Sequence, residues 1–356
     1  MRKALALLHR WLGLSLGLWL LLVSASGSLL LYHDELLRWQ YPQLAGAEWR
    51  PASHYGPLLD RLQAEGGGRY LRLPRPERPW LELVDGDDNR HYYDHQGQRL
   101  LTRPYRSDLL GWVQDWHLHL LAGLTGHQLL GWGGLLVVVL IATGLYRWWP
   151  ANGWRWQLLR IDHKGPIERR MRQWHSVSAL LFAMPLLLVT LTGVAMVFSK
   201  QVQPLLAWLF ADGSPPLLQR ELPSPMPVAS SHWQQWLQQV EQHWPDGQLR
   251  LVYLRQEPTD APTVRVQRAD EWHPNGRSFA TIDGHQGQLL SAVAAADLGL
   301  GARISHSFYP LHVAAIGGEG YRLLLAITGL LPLLLTYTGW RYWLAVRRRR
   351  SGRRSS

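Results

Sequence analysis

The chain contains 16 histidines and no cysteine, and five of the histidines carry its most specific chemistry. His117 and His127 lie in Trp116-His-Leu-His-Leu-Leu-Ala-Gly-Leu-Thr-Gly-His127, which opens into an apolar run reaching Tyr146. His312 lies in His312-Val-Ala-Ala-Ile-Gly317, ahead of a run ending Thr338-Gly-Trp-Arg-Tyr-Trp343. His117 and Gly144 are 27 residues apart, and so are His312 and Gly339. His9 precedes Gly27 by 18 residues, as His175 precedes Gly193. That interval is about five helical turns, so each of these histidines shares a helix face with its glycine. A glycine on that face leaves room for a ring or a close helix.

Histidine is rare beside hydrocarbon and marks function there. Neutral imidazole suits haem iron, and two imidazoles on one iron make a low-spin centre suited to electron transfer. His9 and His175 form one expected ligand pair. The second pair is drawn from His117, His127 and His312. Repeat symmetry favours His117 with His312; depth favours His127 with His312, although the repeat counterpart of His127 is Arg322, which cannot ligate iron. His119 falls outside the repeat and reads as a surface or supporting residue. Met184 and Met196 read as core. The remaining histidines, His273 and His306 among them, read as solvated loop residues, with His95 and His285 explained by repeated turns. Lacking Cys, the chain has no Cys-x-x-Cys-His attachment site and no thiolate-held cluster, so haem would be bound non-covalently.

Four runs without Asp, Glu, Lys or Arg are long enough to cross a bilayer: Trp11–Tyr32, Gln128–Tyr146, Gln173–Ser199 and Leu323–Trp340. The first, preceded by Arg2 and Lys3, is longer than a signal-peptide core and reads as an uncleaved anchor. Of the 37 basic residues, 17 fall in the segments 1–10, 147–173 and 341–354. Positive charge marks cytoplasmic segments, so both termini and the middle loop are expected on the cytoplasmic side. The net charge of +11 then reflects topology and lipid contact, not nucleic-acid binding. Trp112, Trp116, Trp132, Trp148, Trp149, Trp154 and Trp156 read as interfacial anchors. Arg10, Arg147, Arg172 and Arg322 border the spans, where snorkelling to headgroups is expected.

The exported segments repeat each other. Residues 54–65 read as a helix, followed by strands at 70–73, 80–84 and 91–94. Residues 230–244 read as a second helix, followed by strands at 249–255, 263–268 and 278–283. The echo is closest between Asp94-His-Gln-Gly-Gln-Arg-Leu-Leu101 and Asp283-Gly-His-Gln-Gly-Gln-Leu-Leu290, each a strand, a tight turn and a strand. Residues 215–228 form a Pro-rich linker. The expected order is therefore a cytoplasmic N-terminus with the first span (1–32), an α+β module (33–122), the second span (123–149), a cytoplasmic loop (150–173), the third span (174–199), a second α+β module (200–320), the fourth span (321–343) and a basic cytoplasmic tail (344–356). The fold class is a membrane protein of four transmembrane helices in two parallel repeats with two α+β modules.

Leu8-His-Arg-Trp-Leu-Gly13, Leu118–His127, Thr143-Gly-Leu-Tyr-Arg-Trp-Trp-Pro150, Pro310-Leu-His312, Gly329-Leu-Leu-Pro332 and Thr338-Gly339 together resemble the PepSY-associated transmembrane family over nearly the whole chain. The resemblance implies a bacterial inner-membrane protein with periplasmic PepSY-like modules. The members it looks most like include periplasmic ferrisiderophore reductases with two b-type haems. The cytoplasmic pieces are too short for a flavin or nicotinamide domain, and no Gly-x-Gly-x-x-Gly occurs. Electrons would come from quinol or a separate cytoplasmic donor and pass to a periplasmic ferric siderophore or other ferric acceptor. Reduction to Fe(II) weakens hard-oxygen coordination and releases the iron. The alternatives are a haem oxidoreductase with another acceptor, and a haem-free sensor, transporter component or peptidase-regulating protein.

Overall fold

The computed structural model describes residues 2–149 and 159–352; Trp154, Arg155, Trp156, Arg353 and Arg354 lie outside the described residues. The chain divides into two compact units. One comprises residues 1–32, 113–199 and 311–356, the other 33–112 and 200–310. The divisions at 112 and 310 lie inside the module limits expected at 122 and 320, so the histidine-bearing turns belong with the apolar helices.

Three helices of the first unit are long and apolar enough to cross a membrane: α1 (Arg2–Leu30), α5 (Gly123–Trp148) and α11 (Gly318–Gly352). The last runs on into the arginine-rich segment expected as a separate tail. The expected third span is not continuous. It is α6 (Ile167–Leu181) followed by α7 (Ala183–Val197), bent by 61° at Phe182. Pro185 has no N–H to donate to the Leu181 carbonyl, and its ring crowds that oxygen. Each half of the bent pair finds its own neighbour. The helix α6 packs on α11, α7 packs on α5, and α1 packs on both α5 and α11. Small residues permit the close approach: Thr336 lies against Gly17, and Ser28 donates to the Ala326 carbonyl at 2.9 Å.

Two short helices end at left-handed turns within this unit. Helix α4 (Leu109–His119) stops at Leu120, Leu121 and Gly123, and α10 (Leu300–His312) stops at Ala314 and Gly317, all with positive φ. These turns hold His117 and His312 on the last turns of their helices. Leucine and alanine rarely adopt this conformation, so packing around the turns must impose it.

The second unit is an eight-stranded antiparallel sheet in the order β4-β3-β2-β1-β5-β6-β7-β8. The strands are β1 (Tyr70–Arg72), β2 (Leu81–Val84), β3 (Arg90–Tyr93), β4 (Arg99–Arg103), β5 (Gln248–Tyr253), β6 (Thr263–Gln267), β7 (Ser278–Ile282) and β8 (Leu289–Val293). The two expected modules are thus one sheet. They join where Leu71 pairs with Val252, which removes an open edge from each half. One face packs under α3 (Gly56–Ala64) and α9 (Trp233–His243), burying Leu59, Trp233, Trp236, Leu71, Val252 and Val264. The Pro-rich segment is fastened by Arg255, which is 2% exposed and donates to the carbonyls of Met226, Pro227, Ser230, Pro258 and Asp260.

The opposite sheet face carries charge. Glu82 accepts hydrogen bonds from Arg72 at 3.2 Å, Arg78 at 2.5 Å and Arg90 at 2.8 Å. Burial alone would raise this carboxyl, but Arg72, Arg90 and Arg78 outweigh it and hold it well below 4.5.

Candidate functional site

Four histidines come together as two pairs in the helical unit. The ring centres of His9 (α1) and His175 (α6) are 6.2 Å apart, with planes at 87°. Those of His117 (α4) and His312 (α10) are also 6.2 Å apart, with planes at 43°.

Every one of the four rings is seated in the same way, on a helix other than its own. The His9 Nδ1 lies 3.1 Å from the Leu140 carbonyl and 3.3 Å from Thr143 Oγ1. His175 Nδ1 lies 3.0 Å from the Leu335 carbonyl and 3.3 Å from Thr338 Oγ1. His117 Nδ1 lies 3.0 Å from the Val23 carbonyl and 3.1 Å from Ser26 Oγ. The His312 ring has a backbone hydrogen bond to Val189, and its Nδ1 lies 3.1 Å from Thr192 Oγ1. The four hydroxyls already donate to their own helices, to Val139, Leu334, Val23 and Leu188 respectively. Both partners of each Nδ1 therefore accept, which places the proton on Nδ1 and leaves Nε2 as a lone-pair donor. Among the described residues no hydrogen bond engages any of the four Nε2 atoms.

The residue after each hydroxyl is glycine. A Cβ at Gly144 would stand 2.9 Å from His9 Cε1, at Gly27 2.9 Å from His117 Cε1, at Gly193 3.1 Å from His312 Cε1, and at Gly339 3.4 Å from His175 Cε1. The 18-residue and 27-residue spacings thus have a physical origin. Helix α1 carries a histidine for one pair and a glycine seat for the other, and the same division falls across the successive helices α4 and α5, α6 and α7, and α10 and α11. Because α1 carries both His9 and the Gly27 seat of His117, the two pairs are separated by about 27 Å along its axis, from 18 residues at about 1.5 Å each. That approaches the thickness of a bilayer's hydrocarbon core.

His127 is not brought to His312. Its ring centre is 5.6 Å from His119, and its Nδ1 donates to the Leu118 carbonyl. His119 is held in turn by Asp115 at 2.9 Å. Met184 is 76% exposed and points away from the helix packing, contrary to its reading as core. Arg147 lies close enough to His9 and His175 to interact with both electrostatically. Arg322 donates to the Leu31 carbonyl and lies over the Tyr32 ring.

Sequence reasoning found the glycines but missed the Ser or Thr before each. The dipeptides Ser26-Gly27, Thr143-Gly144, Thr192-Gly193 and Thr338-Gly339 are a signal that could have revealed them. It also missed His273, which is 6% exposed rather than solvated and stacks on Tyr309 with ring centres 4.9 Å apart.

No curated protein matches the chain. The sequence model of the PepSY-associated TM region matches residues 6–345, nearly the whole length. With its candidate spans and its separate antiparallel sheet, the chain is a membrane protein with an α+β region. It belongs to the PepSY-associated TM region family.

Proposed function

We propose that the chain is a membrane oxidoreductase that holds two b-type haems non-covalently and delivers electrons to a periplasmic ferric acceptor, a ferric siderophore being the one the family resemblance points to. The observation that carries this reading is the fourfold seat. Two imidazoles that shared one metal, at about 2.0 Å each with each ring centre about 1.1 Å behind its nitrogen, would have centres up to about 6.2 Å apart. Both pairs have that separation. Among the described residues no cluster of three or more His, Asp or Glu could hold an ion. A metal with only two protein ligands brings its remaining ligands with it, as a porphyrin-bound iron does.

In this reading, His9 and His175 hold one haem and His117 and His312 the other. The carbonyls of Leu140, Leu335, Val23 and Val189 fix each tautomer and orient each ring. The glycines admit the rings and fix their depth. Arg147 supplies positive charge beside the His9–His175 pair. The bound haem supplies reversible one-electron chemistry, and release of Fe(II) from a hard-oxygen cage needs no acid, base or nucleophile from the protein. The membrane is the bacterial inner membrane, with both termini cytoplasmic by the distribution of Arg and Lys. The spans number four with the bent pair as one, arranged as two parallel repeats with the sheet halves as their exported parts. Quinol or a separate cytoplasmic donor supplies the electrons.

The test is anaerobic mixing of dithionite-reduced protein with a ferric hydroxamate. Reoxidation of the haem bands with stoichiometric trapping of Fe(II) by a chelator is expected. Reduced protein whose bands are unchanged by ferric complexes would reject the acceptor, and a colourless protein would favour the haem-free sensor or transporter reading.

A further inference from the structure

The charged face of the sheet treats its two halves unequally. In the first half, Glu82 answers three arginines. Glu82 pairs across the strands with Tyr92, two residues before the turn at Asp94. The matching position in the second half pairs with Thr281, two residues before the turn at Asp283, and it is Thr263. Arg265 and Arg277 therefore have no carboxylate in the place of Glu82. Among the described residues neither guanidinium lies in an ion pair.

Arg265 is 8% exposed, lies over the Phe279 ring and donates to the Gly276 carbonyl, while its Nε is buried without a partner. The Nε of Arg277 and the Nδ1 of His306 are buried and unpartnered as well. His273 accepts the Asn275 backbone N–H on Nδ1 at 3.2 Å. Its proton is therefore on Nε2, which is a further donor. The His273 ring stacks on Tyr309, which shares a face of α10 with His306. The nearby carboxyl of Glu271 is already taken by Ser278 Oγ and the Arg277 backbone N–H. Buried donors left without acceptors are costly, and clustered guanidinium groups are the usual receptor for planar oxyanions.

We propose that Arg265, Arg277, His273 and His306 form a binding site for an oxyanion group, carboxylate or phosphate, carried by a solute on the exported side.

The electrostatics agree. Burial, then Arg277, Arg265, His306 and Arg75, pushes His273 down to about 2. Burial, then Arg277 and Arg265, pushes His306 down to about 4. Even Arg277 is lowered to about 10, by burial and then Arg265. At neutral pH both imidazoles are therefore uncharged, and they lie among crowded guanidinium groups whose repulsion Glu271, Tyr253 and Tyr309 offset only in part at Arg277. Their contrast with Arg255, whose donors all reach carbonyls, shows that the fold can satisfy a buried arginine when no ligand is involved. An anionic group on a ferric chelate is the ligand that the proposed activity would bring here. That link rests on the oxidoreductase reading, whereas the site itself does not.

Isothermal titration of the purified full-length protein with citrate, and separately with inorganic phosphate, tests the site by binding alone, whether or not ferric complexes are reduced. Saturable binding is expected, weakened at least tenfold in Arg277→Gln and in His306→Gln and partly retained in Arg277→Lys. Citrate without phosphate would identify a carboxylate ligand, and the reverse a phosphate ligand. Repeating the titration on protein stripped of any haem distinguishes a free solute from carboxylates borne by a bound cofactor. An unchanged thermal midpoint in Arg277→Gln confirms that the fold survives. Absence of binding by both probes, or binding indifferent to Arg277→Gln in folded protein, would overturn the proposal.

Discussion

Replacing Gly144 by alanine adds one methyl group at the most informative place in the helical unit. The new Cβ would stand 2.9 Å from His9 Cε1, where ordinary contact begins at 3.4 Å. The ring must withdraw by about 0.5 Å, more than the ±0.2 Å that metal–ligand bonds tolerate. Withdrawal also stretches the 3.1 Å bond from Nδ1 to the Leu140 carbonyl, which is worth about 1 kcal/mol. Disturbing an orienting partner of a ligating histidine costs about 10–100-fold in affinity. The same substitution favours the helix itself by about 0.5–1 kcal/mol, so loss of cofactor cannot be ascribed to a weakened fold. Haem content by pyridine haemochromogen should fall by about half, with the second pair untouched. Gly320→Ala, at a helical glycine with nothing within 4 Å, is the control and should keep its full haem. Full retention with an unchanged spectrum in Gly144→Ala, or equal loss in the control, would refute the seating argument.

Further outcomes follow from the same geometry. Single substitutions His9→Ala and His175→Ala should remove one and the same haem, and His117→Ala and His312→Ala the other, as read by difference spectra. His127→Ala should leave both in place, since His127 sits against His119. Glu82→Gln should destabilise the sheet unit by about 3–5 kcal/mol, measured as a lowered denaturant midpoint, because Arg72, Arg78 and Arg90 lose their shared counter-charge. The sheet unit should also lose stability in acid. Glu82 is held well below 4.5, and Asp34 is pulled down to about 2, against burial, by its hydrogen bond from His33 and by Arg78. Carboxyls with depressed folded values stabilise the fold above their unfolded values. That stability should drain away as pH falls from about 4.5 toward 2, and a thermal midpoint flat across this range would contradict it.

The helical pattern was the legible part. Apolar runs free of charge mark α1, α5 and α11, and the turns at Asp94 and Asp283 announce two similar strand sets. Periodicity along one helix says nothing about which helix a side chain meets. The spacing of His9 and Gly27 was therefore readable, yet the seat of His9 is Gly144 and that of His117 is Gly27. The choice between His117 and His127 depends on the left-handed turn at Leu120, Leu121 and Gly123. It starts a new helix between the two histidines and leaves His127 beside His119. The break at Phe182 had a sign in Pro185, whereas the union of two sheets through β1 and β5 had none, because each strand alternates equally well in either arrangement. His273 lies in Glu271-Trp-His-Pro-Asn-Gly276, polar enough to read as a solvated loop. Its burial comes from Tyr309, on a helix the sequence pattern did not announce.

The fourfold seat of His9, His117, His175 and His312 makes haem content the decisive quantity. Protein purified from haem-sufficient cells, quantified by pyridine haemochromogen and by its reduced-minus-oxidised spectrum, should carry about two low-spin b-type haems per chain. A colourless preparation, or one in which replacing all four histidines leaves the spectrum unchanged, would contradict the account.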